Sequence, residues 1–234
     1  VDVNIVDNHG ENALILATNT IRPNLSIIQL LTTVIDINQS SNSGITPLIN
    51  ACSHDCSSVI RLLLSEPDII IRKKNCDGLD MPMITLSRGS YQNLKYIKNI
   101  PYDQLYYHNN TLLHLACRHN NFDFIKKLLD SGQINPNSKN LANETALHIS
   151  TKNGNLNITK YLLETNQIDY TACDQYKRTI FHNACFSGTL ELIKYLNSLV
   201  TFYINEKDSF DCTPLHYAIQ SGNLQAVKYV ASRK

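Results

Sequence analysis

The chain has 234 residues and is 43% hydrophobic, enough to build a buried core as one large domain or two small ones. Its 21 basic and 20 acidic side chains leave a formal charge of +1, so no long-range field draws it to nucleic acid or to an anionic membrane. Seven scattered cysteines, an odd number, fit free thiols in a reducing compartment better than a disulfide framework, which points to the cytoplasm or the nucleus.

The first recognisable element begins at Asn12, where Asn12-Ala13-Leu14-Ile15-Leu16-Ala17 opens a short helix behind a capping side chain. Arg22-Pro23-Asn24 then calls for a lengthened turn before a second helix. After a step of 34 residues the pattern returns as Thr46-Pro47-Leu48-Ile49-Asn50-Ala51, with proline at the first helical position, where its missing N–H costs nothing. The same step lands on Asp80-Met81-Pro82-Met83, a degenerate copy. The next start, Thr111-Leu112-Leu113-His114-Leu115-Ala116, comes after only 31 residues. Three residues have been lost near Ile100-Pro101-Tyr102-Asp103, which predicts an irregularity between Asn99 and Asn110.

From there the period is regular. Thr145-Ala146-Leu147-His148, Thr179-Ile180-Phe181-His182 and Thr213-Pro214-Leu215-His216 follow at 34-residue intervals. Every copy starts with Asn, Thr or Asp, side chains that accept from the orphan amides of a helix N-terminus. Nine residues on stand Asp55, Gly89, Asn120, Gly154, Gly188 and Gly222, residue types suited to a left-handed turn. Runs such as Leu190-Glu191-Leu192-Ile193-Lys194-Tyr195-Leu196, apolar at three- and four-residue spacing, give the second helix. Polar stretches such as Asn166–Asp174 complete each unit as a projecting finger.

The Thr-Pro-Leu-His-x-Ala signature, the turn glycine and the period resemble the ankyrin repeat over essentially the whole chain. The resemblance implies an all-α ankyrin-repeat solenoid of about seven helix-turn-helix units, starting near residues 12, 46, 80, 111, 145, 179 and 213, over 1–234. It further implies that fingers and first helices line a concave groove, with the second helices behind. Val1-Asp2-Val3-Asn4 reads as the end of another finger and the last copy stops inside its second helix, so the array is expected to be a fragment of a longer chain.

The chemistry-bearing residues yield to this repeat logic. His114, His148, His182 and His216 recur at one template position and read as structural. His182 with Cys185 could form an imidazole-activated thiol, but His114 with Cys117 copies the pair, and a catalytic dyad is not copied along a scaffold. Cys52-x-His54-x-Cys56 lacks an evident fourth metal ligand. No phosphate loop or hydrolase motif is present, so neither enzyme activity nor a cofactor is expected.

Binding residues are expected where copies vary. The resemblance places partner contacts at the finger tips, here Tyr107, His108, Gln175, Tyr176, Arg178 and Phe210, and at the first-helix ends, here Arg88, Arg118, His119, Lys152 and Phe186. Exposed aromatics there would anchor a partner, while Arg88, Arg118, Lys152 and Arg178 would form a basic stripe. The expected role is a monomeric protein-interaction scaffold for an acidic or mixed-charge protein segment. The alternative is the targeting segment of a larger kinase or ubiquitin-transfer enzyme.

Overall fold

A computed structural model describes residues 2–20, 22–87, 93, 105, 107–165, 168–199 and 204–233. These form thirteen α-helices and no strand, in two compact units spanning 1–100 and 101–234. The division falls inside the stretch where the repeat spacing shortens. Arg88, Gly89 and most of the expected irregularity at Asn99–Asn110 lie outside the described residues.

In the first unit, α1 (Ala13–Thr18) pairs with α2 (Leu25–Thr32), α3 (Pro47–Ser53) pairs with α4 (Ser57–Leu64), and α5 (Met81–Ser87) packs on α3. The turn between α1 and α2 runs over residues 19–24, against 54–56 between α3 and α4, so the lengthening that Arg22-Pro23-Asn24 implies is present. In the second unit the pairs are α6 (Leu112–Arg118) with α7 (Phe122–Asp130), α8 (Ala146–Lys152) with α9 (Leu156–Glu164), α10 (Ile180–Ser187) with α11 (Leu190–Leu199), and α12 (Pro214–Gln220) with α13 (Leu224–Ala231).

The capping residues act as the sequence requires. Asn12 Oδ1 accepts from the Ile15 amide at 2.8 Å, and Thr46 Oγ1 accepts from Ile49 at 3.2 Å. Asp80 Oδ1 does the same for Met83 at 3.1 Å. The carboxylate of Asp80 is buried and needs a counter-charge, which Arg72 supplies through Nε at 2.6 Å. In the histidine-bearing copies a second bond runs backwards: the Thr111, Thr145, Thr179 and Thr213 amides donate to Nδ1 of His114, His148, His182 and His216. An N–H can only donate, so Nδ1 is the acceptor and the neutral ring carries its proton on Nε2.

Behind these caps the small Ala51, Ala116, Ala184 and Ala218 are fully buried and let neighbouring first helices approach, with Leu48, Leu113, Leu147 and Phe181 filling the space beside them. Each such large side chain contributes about 2–3 kcal/mol by leaving water. Asparagines stitch successive first helices: Asn50 Nδ2 donates to the Ile15 carbonyl, and Asn183 Nδ2 to the His148 carbonyl.

Candidate interaction surface

Five of the fingers are each built on one side chain. Asp7, Asn75, Asn140, Asp174 and Asp208 accept through Oδ1 from the amides two and four residues ahead, as when Asp174 takes Tyr176 at 2.8 Å and Arg178 at 2.9 Å. A positive φ closes the tip, at Gly10, Gly44, Gly78, Asn143, Lys177 and Asp211. Adjacent tips are tied by a single backbone bond. In the first unit Asn42 donates to the His9 carbonyl and Cys76 to Ser43. In the second, Leu141 donates to His108, Gln175 to Ala142 and Ser209 to Tyr176, at 2.8–2.9 Å. The side chains at the tips are therefore held in a row by a backbone that cannot swing freely.

On this frame the structure brings Tyr176, Arg178 and Phe210 into one cluster. The Tyr176 and Phe210 rings lie 5.5 Å apart at 39°, both exposed, and the Arg178 guanidinium stacks 4.9 Å from the Tyr176 centroid. Phe186, exposed at the end of α10, meets Tyr217 edge-on at 6.3 Å, and Tyr217 also packs edge-on against His182 at 5.6 Å. The Tyr217 hydroxyl donates to Asp208 Oδ2 at 2.6 Å; burial first, then that carboxylate, push the phenol up to about 12. Asp208 itself sits below the usual carboxylate range: burial would raise it, but the bonds from Tyr217, Phe210 and Cys212 together prevail.

The basic stripe takes a different form from the one expected. Nε and Nη2 of Arg178 both lie 2.6 Å from Asp174 Oδ2, which is fully buried, so that charge is compensated within its own finger. Lys152 Nζ sits 3.7 Å from Glu144 Oε1. Arg118, exposed at the end of α6, has no ion pair among the described residues. Its neighbour His119 is also exposed and is held below the usual imidazole range, first by partial burial and then by Arg118. Asn153 Nδ2 donates to the carbonyls of Cys117 and Arg118 at 3.1 Å, so the ends of α6 and α8 adjoin. His108 is exposed at its tip with φ +59°, Gln175 is exposed beside Tyr176, and the side chain of Tyr107 lies outside the described residues.

Asp174, Asp208 and Tyr217 support the Tyr176 cluster and are not among the expected contact residues. The two aspartates carry a sequence signal: five residues before the cap stand Asp7, Asn75, Asn140, Asp174 and Asp208, in five of the seven copies.

The histidines and thiols are occupied structurally. His182 spends Nδ1 on Thr179 and Nε2 on the Glu206 carbonyl at 3.1 Å, while burial pushes the Cys185 thiol up to about 12. Cys52 is fully buried, whereas His54 is exposed and bonded to Asn19, and the described residues contain no group of three metal-ligating side chains.

A family model described as ankyrin repeats (3 copies) matches residues 1–75, 83–174, 113–208 and 166–234. The chain belongs to the ankyrin-repeat family. No curated protein matches it. Ankyrin repeats are in general protein–protein interaction modules and are typically non-catalytic. Among the described residues no helix is long and apolar enough to cross a membrane.

Proposed function

We propose that this ankyrin-repeat array is a cytoplasmic or nuclear scaffold that holds a protein segment across the aromatic row of its second unit. The observation that carries this reading is the exposed pair Tyr176 and Phe210, held 5.5 Å apart on tips that a backbone bond locks together. Large apolar rings normally cost little to bury and supply most of the energy at protein interfaces. Rings fixed before binding lose little entropy on binding. Phe186 and Tyr217 extend the row onto the first helices.

The partner fits as a mixed-charge segment with an apolar anchor. Among the described members of the expected stripe, Arg178 and Lys152 already face carboxylates and add little pull on an acidic chain, which leaves Arg118 to meet a partner carboxylate. A reducing compartment suits seven thiols that all stay free, three of them sealed in the core. Selection of a random peptide library on the folded chain, followed by titration of the selected peptides against Tyr176→Ala and Phe210→Ala, tests the proposal. Each change should weaken binding by roughly 10–30-fold, the weight of one good anchor. Peptides that bind both variants as tightly as the parent would overturn it.

A further inference from the structure

One template position on the first helices of the second unit changes its chemistry from copy to copy. The seventh residue after the cap is Arg118 in α6, Lys152 in α8 and Phe186 in α10. All three side chains are exposed, and Phe186 stays 45% exposed although α8 and α12 pack on either side of its helix. The frame beneath them is fixed. Asn153 Nδ2 ties the end of α8 to the carbonyls of Cys117 and Arg118, and Asn183 Nδ2 ties α10 to the His148 carbonyl. Packed helices lie about 8–10 Å apart, so two steps set Phe186 about 16–20 Å from Arg118.

The three positions offer a partner different things. Arg118 has no ion pair among the described residues, so its charge is open. Lys152 faces Oε1 of Glu144, a mostly buried carboxylate whose Oε2 takes Asn140 Nδ2, so the middle step is close to neutral. Phe186 is apolar, and from it a band of touching side chains runs through Tyr217, Arg178 and Tyr176 to Phe210. That band fills the space between helix end and finger tip, where a partner helix about 10–12 Å wide would otherwise lie. An extended chain is narrow enough to cross it.

We propose, on the reading that this row holds a protein segment, that the partner is an extended segment with an acidic and a large apolar side chain about six residues apart. The acid meets Arg118 and the apolar group seats against Phe186 and Tyr217. An extended chain advances about 3.3 Å per residue and returns to the same face at every second one. Residues i and i+6 therefore span about 20 Å, which matches two helix steps, whereas i+4 reaches only about 13 Å and i+8 overshoots at about 26 Å. Charges between the two matter little, because Lys152 is already matched. The rings supply most of the affinity, and Arg118 sets which segment is chosen.

Selection of a random peptide library, long enough to hold either an extended or a helical spacing, on the folded chain and on Arg118→Glu tests this. Peptides that bind the parent should carry Asp or Glu about six residues from Phe, Leu, Trp or Tyr, and should lose about tenfold or more in affinity on Arg118→Glu. Peptides selected on Arg118→Glu should carry Lys or Arg at the same offset, and Phe186→Ala should weaken both sets. The Arg118 side chain is exposed, so circular dichroism should show the variant folded. No fixed offset, an offset of about 11–13 residues as a helical partner would need, or equal binding to the parent and Arg118→Glu overturns the inference. If Tyr176→Ala still weakens those peptides, the aromatic row survives as a binding surface. Peptides indifferent to both Tyr176→Ala and Phe210→Ala bring down the underlying reading, and this inference with it.

Discussion

Nε2 of His114 donates to the carbonyl of Glu144 at 2.9 Å while its Nδ1 accepts from the Thr111 amide, so one neutral imidazole closes a helix cap and fastens the following finger. Protonating Nδ1 would destroy the cap. Burial holds His114, His148 and His182 below the usual imidazole range, more than their carbonyl and carboxylate neighbours can offset.

The consequence is an acid-labile stack. An unfolded histidine titrates near pH 6.5, so below that value the unfolded chain takes up protons that the folded chain refuses. The stability these rings contribute is present in full above about pH 6.5 and is lost as pH falls through their lower folded values. Melting temperature should therefore drop between pH 7.5 and pH 5, before carboxylates titrate. His148→Leu should flatten that slope. Its ring is fully buried, and that burial outweighs Asp174 and the Arg178 backbone, which favour the proton. A slope unchanged in the variant would refute this assignment.

Asp174 carries two jobs on two oxygens: Oδ1 caps the finger turn and Oδ2 pairs with Arg178. Asp174→Ala should cost about 2–3 kcal/mol, because it strips two amides and leaves a partly buried guanidinium without its partner. Asp174→Asn keeps the turn acceptor and loses only the charge pairing, so it should cost less. Chemical denaturation of the two variants reads the difference directly, and equal losses would show that the turn bonds count for nothing here.

The core, the caps and the helix pairs were legible because one physical requirement is written into the chain repeatedly, at 34-residue steps. Thr145, Leu147 and His148 are recognisable without any structure for that reason. The candidate surface was only half legible. Tyr176 and Phe210 can be placed on tips by counting, but the fate of Arg178 depends on Asp174, which lies in a polar, irregular stretch of the sequence. A charge total cannot show which cations are already paired; that needs the distance between two side chains four residues apart in a closed turn. The same limit applies to Asp80, whose burial demanded Arg72, eight residues away, and gave no periodic signal.

The thiols should separate by burial. Burial pushes Cys52 and Cys185 up to about 12 and pushes Cys117 higher still, so their thiolate fraction at neutral pH is negligible and no reagent reaches them. Cys76 is exposed. Alkylation of the native protein at pH 7.5, followed by peptide mass mapping, should label Cys76 first and leave Cys52, Cys117 and Cys185 unmodified until denaturant is added. Labelling of Cys185 at the rate of Cys76 would show that the stack opens far more readily than its packing implies.

Gly188 and Gly222 make a matched pair that separates backbone strain from packing. Both occupy the turn between the two helices of a repeat with left-handed backbone, at φ +68° and +73°. A Cβ on Gly188 would meet Oγ and Cβ of Ser221, in the next repeat, at 2.8 and 2.9 Å, whereas one on Gly222 would meet nothing within 4 Å. Gly222→Ala should therefore lose only the cost of a left-handed alanine, about 1 kcal/mol. Gly188→Ala adds an overpacking cost and should lose about 2–4 kcal/mol in all. Urea midpoints for the two variants test this. Equal shifts would mean that Ser221 moves aside freely, and that the close approach of consecutive turns adds nothing to the stability of the stack.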